Sequence, residues 1–298
     1  MSSNKQAKTG EGQPPSLFLM LKKYNLFPTR SLGQVFLIDQ RVIESILNTL
    51  QPDCRDLIVE IGAGPGIITK RLAERAGHVL AVEIDRKFKP LHDELFGDLE
   101  RPPEMIYEDA RQANYHKLIR KTEGRLLVFG NLPYYLTTEL ILTAISCLSG
   151  MSKALFMVEE EAAERILAQP GTKKYGTLSM ASQLFGQWRK ERTVPRAAFF
   201  PKPNVTSALM ALTPSDDEGK REIASDPLFH RFLTGLAQYR RKNLANALKL
   251  SGAVNEAIPP KIKIFLGEQA IASGARAEQL TPEQLGELFR LLNLSEKT

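Results

Sequence analysis

The sequence predicts an α/β fold with a doubly wound parallel sheet, followed by an all-helical C-terminal domain. Apolar, strand-like runs recur through the first half of the chain, and helical patterns lie between them. The runs lie near residues 57–61, 79–84, 105–107, 126–130 and 154–158. Such alternation is typical of a parallel sheet that carries helices on both faces.

A different pattern follows these strands. Two further runs, at Trp188–Val194 and Ser207–Leu212, have no long helix between them, so we expect an antiparallel hairpin at one edge of the sheet. The polar, turn-rich segment Thr213–Gly219 predicts a domain boundary. From Pro227 onward every periodic pattern is helical, and Thr281, which precedes a proline, is a typical helix N-cap.

These signals divide the chain into three parts. Residues 1–15 are polar and predict a disordered tail, residues 16–213 form the sheet-bearing domain, and residues 221–298 form the helical domain. The 298 residues are 43% hydrophobic, which is enough for one sizeable core and a second small one. The net charge of +6 moderately favours an anionic partner.

Several classes of protein are disfavoured by composition. The two cysteines, Cys54 and Cys147, lie far apart and have no metal-ligand spacing, so we expect neither a disulfide framework nor a metal site. The sequence has no apolar run of roughly 18 residues and no signal-peptide pattern. We therefore expect a soluble cytoplasmic protein that does not contact a membrane.

A glycine-rich turn joins the first long strand to a helical pattern. The strand Leu57–Ile61 leads directly into Gly62, Gly64 and Gly66. Glycines let the backbone turn sharply and approach a nucleotide-like ligand. Their spacing is G-x-G-x-G, which differs from the G-x-G-x-x-G of dinucleotide binders.

Acidic residues follow the strands around this turn. Glu83 lies about 20 residues beyond the first glycine, where a carboxylate accepts hydrogen bonds from a ribose diol. Asp109, near the end of the next strand, is placed to accept from an adenine amino group, and Glu60 to hold an ammonium group. The set suits S-adenosylmethionine better than a cofactor with a pyrophosphate. A dehydrogenase is the rival, but Asn131–Tyr134 supplies no hydride-handling group at the fourth strand.

The corner Asn131-Leu132-Pro133-Tyr134 ends the apolar run Leu126–Gly130. In α/β folds ligands collect at the carboxyl ends of strands. The Asn131 side-chain oxygen and the Pro133 carbonyl can each accept one hydrogen of a planar amine. Tyr134 then offers a flat face on which a base can stack. The corner is therefore interpreted as the site that presents an exocyclic amino group to a methyl donor.

The motifs resemble those of the small-subunit ribosomal RNA adenine N6,N6-dimethyltransferases, which are relatives of the erythromycin-resistance methylases. Four further stretches carry the same resemblance: Leu32–Leu37, Lys174–Ser179, Phe199–Ser207 and Tyr239–Leu244. The resemblance runs from about residue 31 to residue 292 and covers nearly the whole predicted folded chain.

This resemblance implies a Rossmann-like class I methyltransferase domain with a helical C-terminal domain. It implies S-adenosylmethionine as cofactor and transfer of methyl groups to N6 of two adjacent adenines near the 3′ end of 16S rRNA, giving N6,N6-dimethyladenosine. The implied partner is small-subunit rRNA in a partly assembled small ribosomal subunit, and the enzyme is expected to be a monomer.

Site residues follow from the pattern and the resemblance together. The candidate donor-binding residues are Val35, Leu37, Glu60, Gly62, Gly64, Gly66, Glu83, Ile84, Asp109, Ala110 and Asn131. The candidate catalytic residues are Asn131, Pro133, Tyr134 and Phe199. Phe199 matches the family's second stacking aromatic, so Tyr134 and Phe199 are expected to sandwich the flipped adenine. Val35 stands where the family commonly has Asn, so its side chain cannot make a polar contact with the methyl donor. A backbone contact is expected to replace it. Pro65 and Ile67 differ from the residues that are usual in the family's glycine loop, but the glycines of the loop are intact.

Basic residues cluster near these motifs. Besides Lys22, Lys23 and Arg30, the candidate RNA-binding residues are Arg189, Lys190, Arg192, Lys202, Arg240, Arg241 and Lys242. Phosphate contacts supply much of the affinity for nucleic acid. Three other functions stay open: a large-subunit rRNA methylase of the resistance type, a DNA adenine methylase, and a non-catalytic assembly or transcription factor.

Overall fold

The computed structural model describes residues 17–119, 123–254 and 260–292, so the tail predicted for residues 1–15 lies outside the described part. Its strands are β1 Phe36–Leu37, β2 Leu57–Ile61, β3 His78–Val82, β4 Glu104–Ile106, β5 Leu126–Asn131, β6 Lys153–Glu159, β7 Gly186–Val194, β8 Phe199–Phe200 and β9 Ser207–Pro214. Its α-helices are α1 Leu17–Lys23, α2 Gln40–Leu50, α3 Ile67–Ala73, α4 Lys89–Phe96, α5 Tyr115–Leu118, α6 Thr137–Cys147, α7 Glu160–Ile166, α8 Thr177–Phe185, α9 Glu218–Ser225, α10 Pro227–Gln238, α11 Leu244–Leu250, α12 Pro260–Glu268 and α13 Pro282–Leu291.

Seven strands form one sheet in the order β4-β3-β2-β5-β6-β9-β7. Strands β2 to β6 are parallel, and β9 runs antiparallel to both β6 and β7. The predicted α/β fold, with an antiparallel pair at one edge, is therefore confirmed. Strand order reverses between β2 and β5, which is where a doubly wound sheet opens a crevice at its carboxyl edge.

A second, two-stranded sheet was not predicted. In it Phe36 pairs with Phe200 and Leu37 pairs with Phe199, in antiparallel register. This pairing fixes the segment before α2 next to the loop between β7 and β9. It also brings residues 32–37 over the carboxyl edge of the large sheet.

Both faces of the large sheet are buried. On one face Ile58 and Leu127 pack in a core that includes α2 and α3. On the other face Val59 and Val128 pack in a core that includes α6, α8 and the C-terminal helices. Neighbouring strand residues point to opposite faces, so these unbroken apolar runs are what a sheet covered on both sides requires.

The C-terminal helices pack against the sheet-bearing part through α8. Helix α8 is buried on nearly every side, with Leu178, Ala181 and Phe185 among its inaccessible residues. It contacts α9, α10 and α13 in addition to α6 and α7. Thr281 caps α13 by accepting from the Gln284 amide at 3.2 Å, as the sequence predicted. The division at residues 213–221 stays a prediction.

Across the described ranges, no helix combines the length and the apolar character needed to cross a membrane.

Candidate active site

The carboxyl edge of the large sheet opens into one cavity. Five segments line most of it: residues 32–37, 60–65, 83–84, 108–111 and 131–136. The predicted donor-binding residues line this cavity with the exception of Gly66, and so do Pro133 and Tyr134. The structure thus brings together the glycine turn, the acids and the Asn131 corner, which lie far apart in the sequence.

The glycine turn adopts the conformation for which glycine is suited. Gly62, Gly64 and Gly66 have φ angles of 82°, 55° and 85°, in the left-handed region that L side chains rarely adopt. A Cβ on Gly66 would lie 2.7 Å from Phe96 Cζ and 3.0 Å from His92 Cδ2. Gly66 therefore serves the packing of the turn against α4 and does not face the cavity.

Glu83 is held by backbone amides. Its Oε2 accepts from the Gly64 amide at 2.7 Å and its Oε1 accepts from the Asp85 amide at 2.8 Å. The side chain is buried, and burial raises its pKa above the ordinary value. Each carboxyl oxygen has a second lone pair, so Glu83 can still accept from hydroxyl groups in the cavity.

Glu60 is the most buried acid of the site. It is 1% exposed, and its Oε2 has no hydrogen-bond partner among the described residues. Burial raises its pKa to about 8. An unpartnered buried carboxyl group at a cavity wall is costly, and a cationic or hydrogen-bond-donating ligand group would offset that cost.

Asp109 closes the other side of the cavity together with an arginine. Arg111 Nη2 lies 2.6 Å from Asp109 Oδ2, and Arg111 Nη1 lies 2.8 Å from Glu139 Oε2 at the start of α6. The hydrogen bonds from Arg111 hold the pKa of Asp109 below its usual range. Arg111 also lines the cavity and was not among the predicted site residues. Its only sequence signal was its place two residues after the acid.

The segment before α2 is anchored by polar contacts. Gln34 Nε2 donates to Asp85 Oδ2 at 3.1 Å, and the Thr29 amide donates to Gln34 Oε1 at 2.8 Å. Gln34 lies in the stretch Leu32–Leu37 that carries the family resemblance, but no role was predicted for it. These bonds tie the N-terminal segment to the loop after β3, which also carries Glu83.

Asn131 has a fixed amide orientation. Its Nδ2 donates to the Val35 carbonyl at 2.8 Å. A carbonyl can only accept, so the amide nitrogen must face Val35. Within the described ranges Oδ1 accepts no hydrogen bond, so it is left as an available acceptor. The backbone contact with the methyl donor that was expected at Val35 stays a prediction, and in this structure the Val35 carbonyl orients Asn131.

The Pro133 carbonyl serves the turn that follows it, which corrects the prediction for this group. It accepts from the Leu136 amide at 3.0 Å and from Thr137 Oγ1 at 3.4 Å. It therefore points along the chain toward α6. No hydrogen bond of the described residues ends on the Leu132 carbonyl, one position earlier and also in the cavity wall.

Tyr134 is anchored from across the sheet. Its hydroxyl lies 2.9 Å from Oγ of Ser207, the buried first residue of β9. The bond holds the ring at the mouth of the cavity, half-buried. Ser207 ends the stretch Phe199–Ser207 that carries the family resemblance, but no role in the site was predicted for it.

Phe199 does not reach this cavity. It is 3% exposed, and it packs in the core that contains Leu37 and Leu209. Its position in β8, paired with Leu37, fixes it there. The expected sandwich of Tyr134 and Phe199 around a base is therefore absent from this structure, because sheet pairing buries the second ring.

A model of the ribosomal RNA adenine dimethylase family matches residues 28–293. Two curated relatives are named ribosomal RNA small subunit methyltransferase A. The protein of Alkaliphilus oremlandii is 36% identical over 280 residues, covering 93% of this chain and 96% of the relative. That of Levilactobacillus brevis is 33% identical over 273 residues, covering 91% and 92%.

The chain belongs to the ribosomal RNA adenine dimethylase family. As a member, it is an S-adenosylmethionine-dependent methyltransferase. Among the solved structures, a dimethyladenosine transferase from Plasmodium falciparum has a similar fold, with a TM-score of 0.68, 23% identity and coverage of 88% of this chain and 98% of that one. The 23S rRNA methyltransferase ErmE superposes with a TM-score of 0.57 at 22% identity, covering 87% and 99%.

The predicted basic residues of this family member separate into engaged and available groups. Lys190 Nζ lies 2.5 Å from Glu160 Oε1, and Arg189 Nη2 lies 2.7 Å from Glu191 Oε1. Arg240 Nη2 lies 2.6 Å from Glu278 Oε2. Four others form no ion pair within the described ranges: Arg192, Lys202, Arg241 and Lys242. These four are the better candidates for contact with phosphates.

Proposed function

We propose that this enzyme transfers methyl groups from S-adenosylmethionine to N6 of two adjacent adenines near the 3′ end of 16S rRNA, giving N6,N6-dimethyladenosine. The observation that carries the proposal is Asn131 Oδ1, which accepts no hydrogen bond from the described residues. It lies beside a cavity lined by the glycine turn and by four acids, Glu60, Glu83, Glu108 and Asp109. The relatives' name, small subunit methyltransferase A, favours this substrate over the large-subunit, DNA and non-catalytic alternatives.

The cavity has the chemistry that the methyl donor requires. Glu60, whose Oε2 has no partner among the described residues, suits an ammonium group, and Glu83 suits ribose hydroxyls. Asp109 suits the amino group of an adenine. At the glycine turn, Gly64 has φ of 55°, and a Cβ there would lie 3.3 Å from Phe36 Cδ1, so a side chain would strain the backbone and press on the Phe36 ring. When bound, S-adenosylmethionine supplies an electrophilic methyl group on a sulfonium.

The target amine would be oriented by two acceptors of this chain. Asn131 Oδ1 accepts one N6 hydrogen, and the Leu132 carbonyl accepts the other in place of the Pro133 carbonyl. Accepting both hydrogens favours a pyramidal nitrogen whose lone pair is no longer delocalised into the ring. Catalysis then depends on orientation and electrostatics, and no general base with a shifted pKa is needed.

Tyr134 would stabilise the adenine once it has left its stack. Base-aromatic stacking contributes roughly 1–3 kcal/mol per base, and Ser207 keeps the ring in place for it. Phe199 is buried in the core and does not line the cavity, so we assign the stacking to Tyr134 alone.

The proposed partner is small-subunit rRNA in a partly assembled small ribosomal subunit, bound by a monomer in the cytoplasm. Arg192 lies on β7 at the edge of the sheet, Lys202 follows β8, and Tyr134 contacts Ser207 at the start of β9. This basic edge lies beside the proposed target side of the cavity, which is formed by Asn131 and Tyr134. Such an edge suits an RNA whose phosphates flank the flipped base.

Transfer of labelled methyl groups tests the proposal. Under-methylated small subunits, naked rRNA, large subunits and DNA are offered in parallel, with wild-type enzyme and Asn131→Ala. We expect N6,N6-dimethyladenosine in the small subunits only, and none with the variant. Methylation of large subunits or DNA at an equal rate would overturn the substrate assignment.

A further inference from the structure

A buried histidine connects three segments of the donor side of the cavity, which is formed by the glycine turn, Glu60, Glu83 and Asp109. His92 lies on α4 and is 1% exposed. Its Nε2 lies 2.8 Å from the Gly64 carbonyl oxygen, and its Nδ1 lies 2.8 Å from the Tyr107 hydroxyl. Tyr107 follows β4, two residues before Asp109. One side chain thus contacts both the glycine turn and the segment that leads to Asp109.

The partners determine which nitrogen of His92 carries the proton. The Gly64 carbonyl can only accept, so Nε2 must carry the hydrogen and donate it. In the neutral ring Nδ1 then accepts from the Tyr107 hydroxyl. Burial lowers the pKa of His92 to about 4, so the neutral ring prevails near neutral pH. The neutral form is therefore the one that satisfies both bonds.

The chain of hydrogen bonds continues into the donor site. Gly64 accepts from His92 through its carbonyl, and it donates through its amide to Glu83 Oε2 at 2.7 Å. A ring that holds the Gly64 carbonyl therefore limits how the Gly64 amide can move relative to Glu83. Gly64 has φ of 55°. Glycine adopts positive and negative φ angles about equally readily, so its own conformational preference does not hold the turn in this shape.

Packing leaves the ring little freedom. His92 stacks at 5.3 Å on Phe96 and at 6.0 Å on Phe88, measured between ring centroids. Tyr107 stacks on the same ring at 5.9 Å. A Cβ on Gly66 would lie 3.0 Å from His92 Cδ2, so the ring also borders the last glycine of the turn.

We propose that His92 is a positioning residue for the methyl donor: it fixes the glycine turn in its binding conformation through the Gly64 carbonyl. His92 does not line the cavity and acts on the donor only through Gly64 and Glu83. The inference rests on the proposed donor site. It adds a residue to which the sequence assigned no role.

Binding of S-adenosylhomocysteine, measured by calorimetry, tests the inference without turnover. His92→Phe keeps a ring for the aromatic stack and removes both hydrogen-bonding nitrogens. We expect its dissociation constant to rise about tenfold, which is the loss typical of one buried hydrogen bond. Tyr107→Phe removes only the outer bond and should raise the constant about two- to threefold. His92→Gln, which restores an amide donor, should recover part of the loss.

His230 supplies a matched control. It is a second largely buried histidine whose Nε2 contacts a backbone carbonyl, that of Ala224 at 2.7 Å, in the helical part of the chain. His230→Phe should lower thermal stability and leave the dissociation constant unchanged. An unchanged constant for His92→Phe, or an equal rise for His230→Phe, would overturn the inference. If the wild-type protein itself failed to bind, the proposed donor site would be the part that fails.

Nitrogen NMR of the wild-type protein keeps the test decisive if His92→Phe does not fold. We expect a pyrrole-like, protonated Nε2 and a pyridine-like Nδ1 at His92, and a shift of the Nε2 signal when S-adenosylhomocysteine is added. The opposite tautomer, or an Nε2 chemical shift that does not change when S-adenosylhomocysteine is added, would overturn the inference.

Discussion

The donor side and the target side of the cavity are held by contacts of different range. On the donor side, Glu83 accepts from amides 2 residues later and 19 residues earlier, and Asp109 pairs with an arginine 2 residues later. On the target side, Asn131 is oriented by Val35, 96 residues earlier, and Tyr134 by Ser207, 73 residues later. The acids of the donor side are therefore held mainly by contacts that are short in sequence, whereas the target side exists only once distant strands have paired.

The largest expected effect concerns the target side. Asn131→Ala removes the free Oδ1 acceptor, so we expect methyl transfer to fall by about 10³-fold. Binding of S-adenosylhomocysteine should fall much less, because the donor acids remain. Single-turnover methylation and calorimetry measure the two. As a control, Asn243→Ala removes an N-cap of α11 and should lower stability without the loss of methyl transfer. Equal losses of methylation rate and donor affinity in Asn131→Ala would contradict the role assigned to Asn131.

Substitutions at Tyr134 distinguish the contribution of its ring to base stacking from that of its hydroxyl bond to Ser207. Tyr134→Ala removes the ring, and we expect rRNA methylation to fall roughly 10- to 100-fold, in line with the removal of one stacking interaction. Tyr134→Phe keeps the ring and loses only the bond to Ser207, so a loss of a few-fold is expected. Ser207→Ala removes the same bond and should match Tyr134→Phe in methylation kinetics. A large loss in Ser207→Ala alone would show that Ser207 has another role.

Glu83→Ala tests the donor side. The Gly64 and Asp85 amides lose their shared acceptor, and the ribose hydroxyls lose theirs. We expect the dissociation constant of S-adenosylhomocysteine to rise about tenfold or more. Transfer at saturating donor should change less than in Asn131→Ala. Calorimetry that gave an unchanged constant would mean that the donor site lies elsewhere.

Glu60 makes stability depend on pH. Its pKa of about 8 in the folded protein lies above the ordinary value of 4.5, so the folded state binds the proton more tightly than the unfolded state. The stabilising contribution is complete below about pH 4.5 and is lost as the pH rises through about 8. Glu60→Gln should flatten this fall, as measured by urea unfolding from about pH 5 to about pH 9. Glu164 is exposed, so Glu164→Gln should not flatten the fall in stability. If the stability of Glu60→Gln fell with pH in parallel with the wild type, the raised pKa of Glu60 would be contradicted.

The smallest expected effects concern the basic cluster Arg240–Lys242. Exchanging Arg241 and Lys242 for Gln should flatten the salt dependence of subunit binding, by roughly one unit of log-log slope for each phosphate interaction that is removed. Arg240→Gln should instead lower the free energy of unfolding, because Arg240 pairs with Glu278, which is only 17% exposed. Binding across a salt series and urea unfolding separate the two. An unaltered slope in the double variant would mean that these charges are solvated surface only.

Periodicity and motif spacing predicted most of the fold. The five parallel strands, the antiparallel edge pair and the helical C-terminal part all follow from where apolar runs and turn signals lie. The two-stranded β1–β8 sheet was not predicted, because Phe36–Leu37 and Phe199–Phe200 are too short to carry a pattern of their own. Short strands are specified by their partners, and those partners are distant in the sequence.

The sequence by itself determined the chemistry of the donor side: the glycines, Glu83 and Asp109 lie at strand ends that parallel pairing must bring to one edge. Only the tertiary structure decided which way Asn131 faces, that the Pro133 carbonyl is turned into α6, and that Phe199 is buried under β1. The physical reason is that a strand end fixes where a residue lies, whereas the direction of a side chain or a carbonyl depends on the hydrogen bonds and packing that neighbouring segments offer.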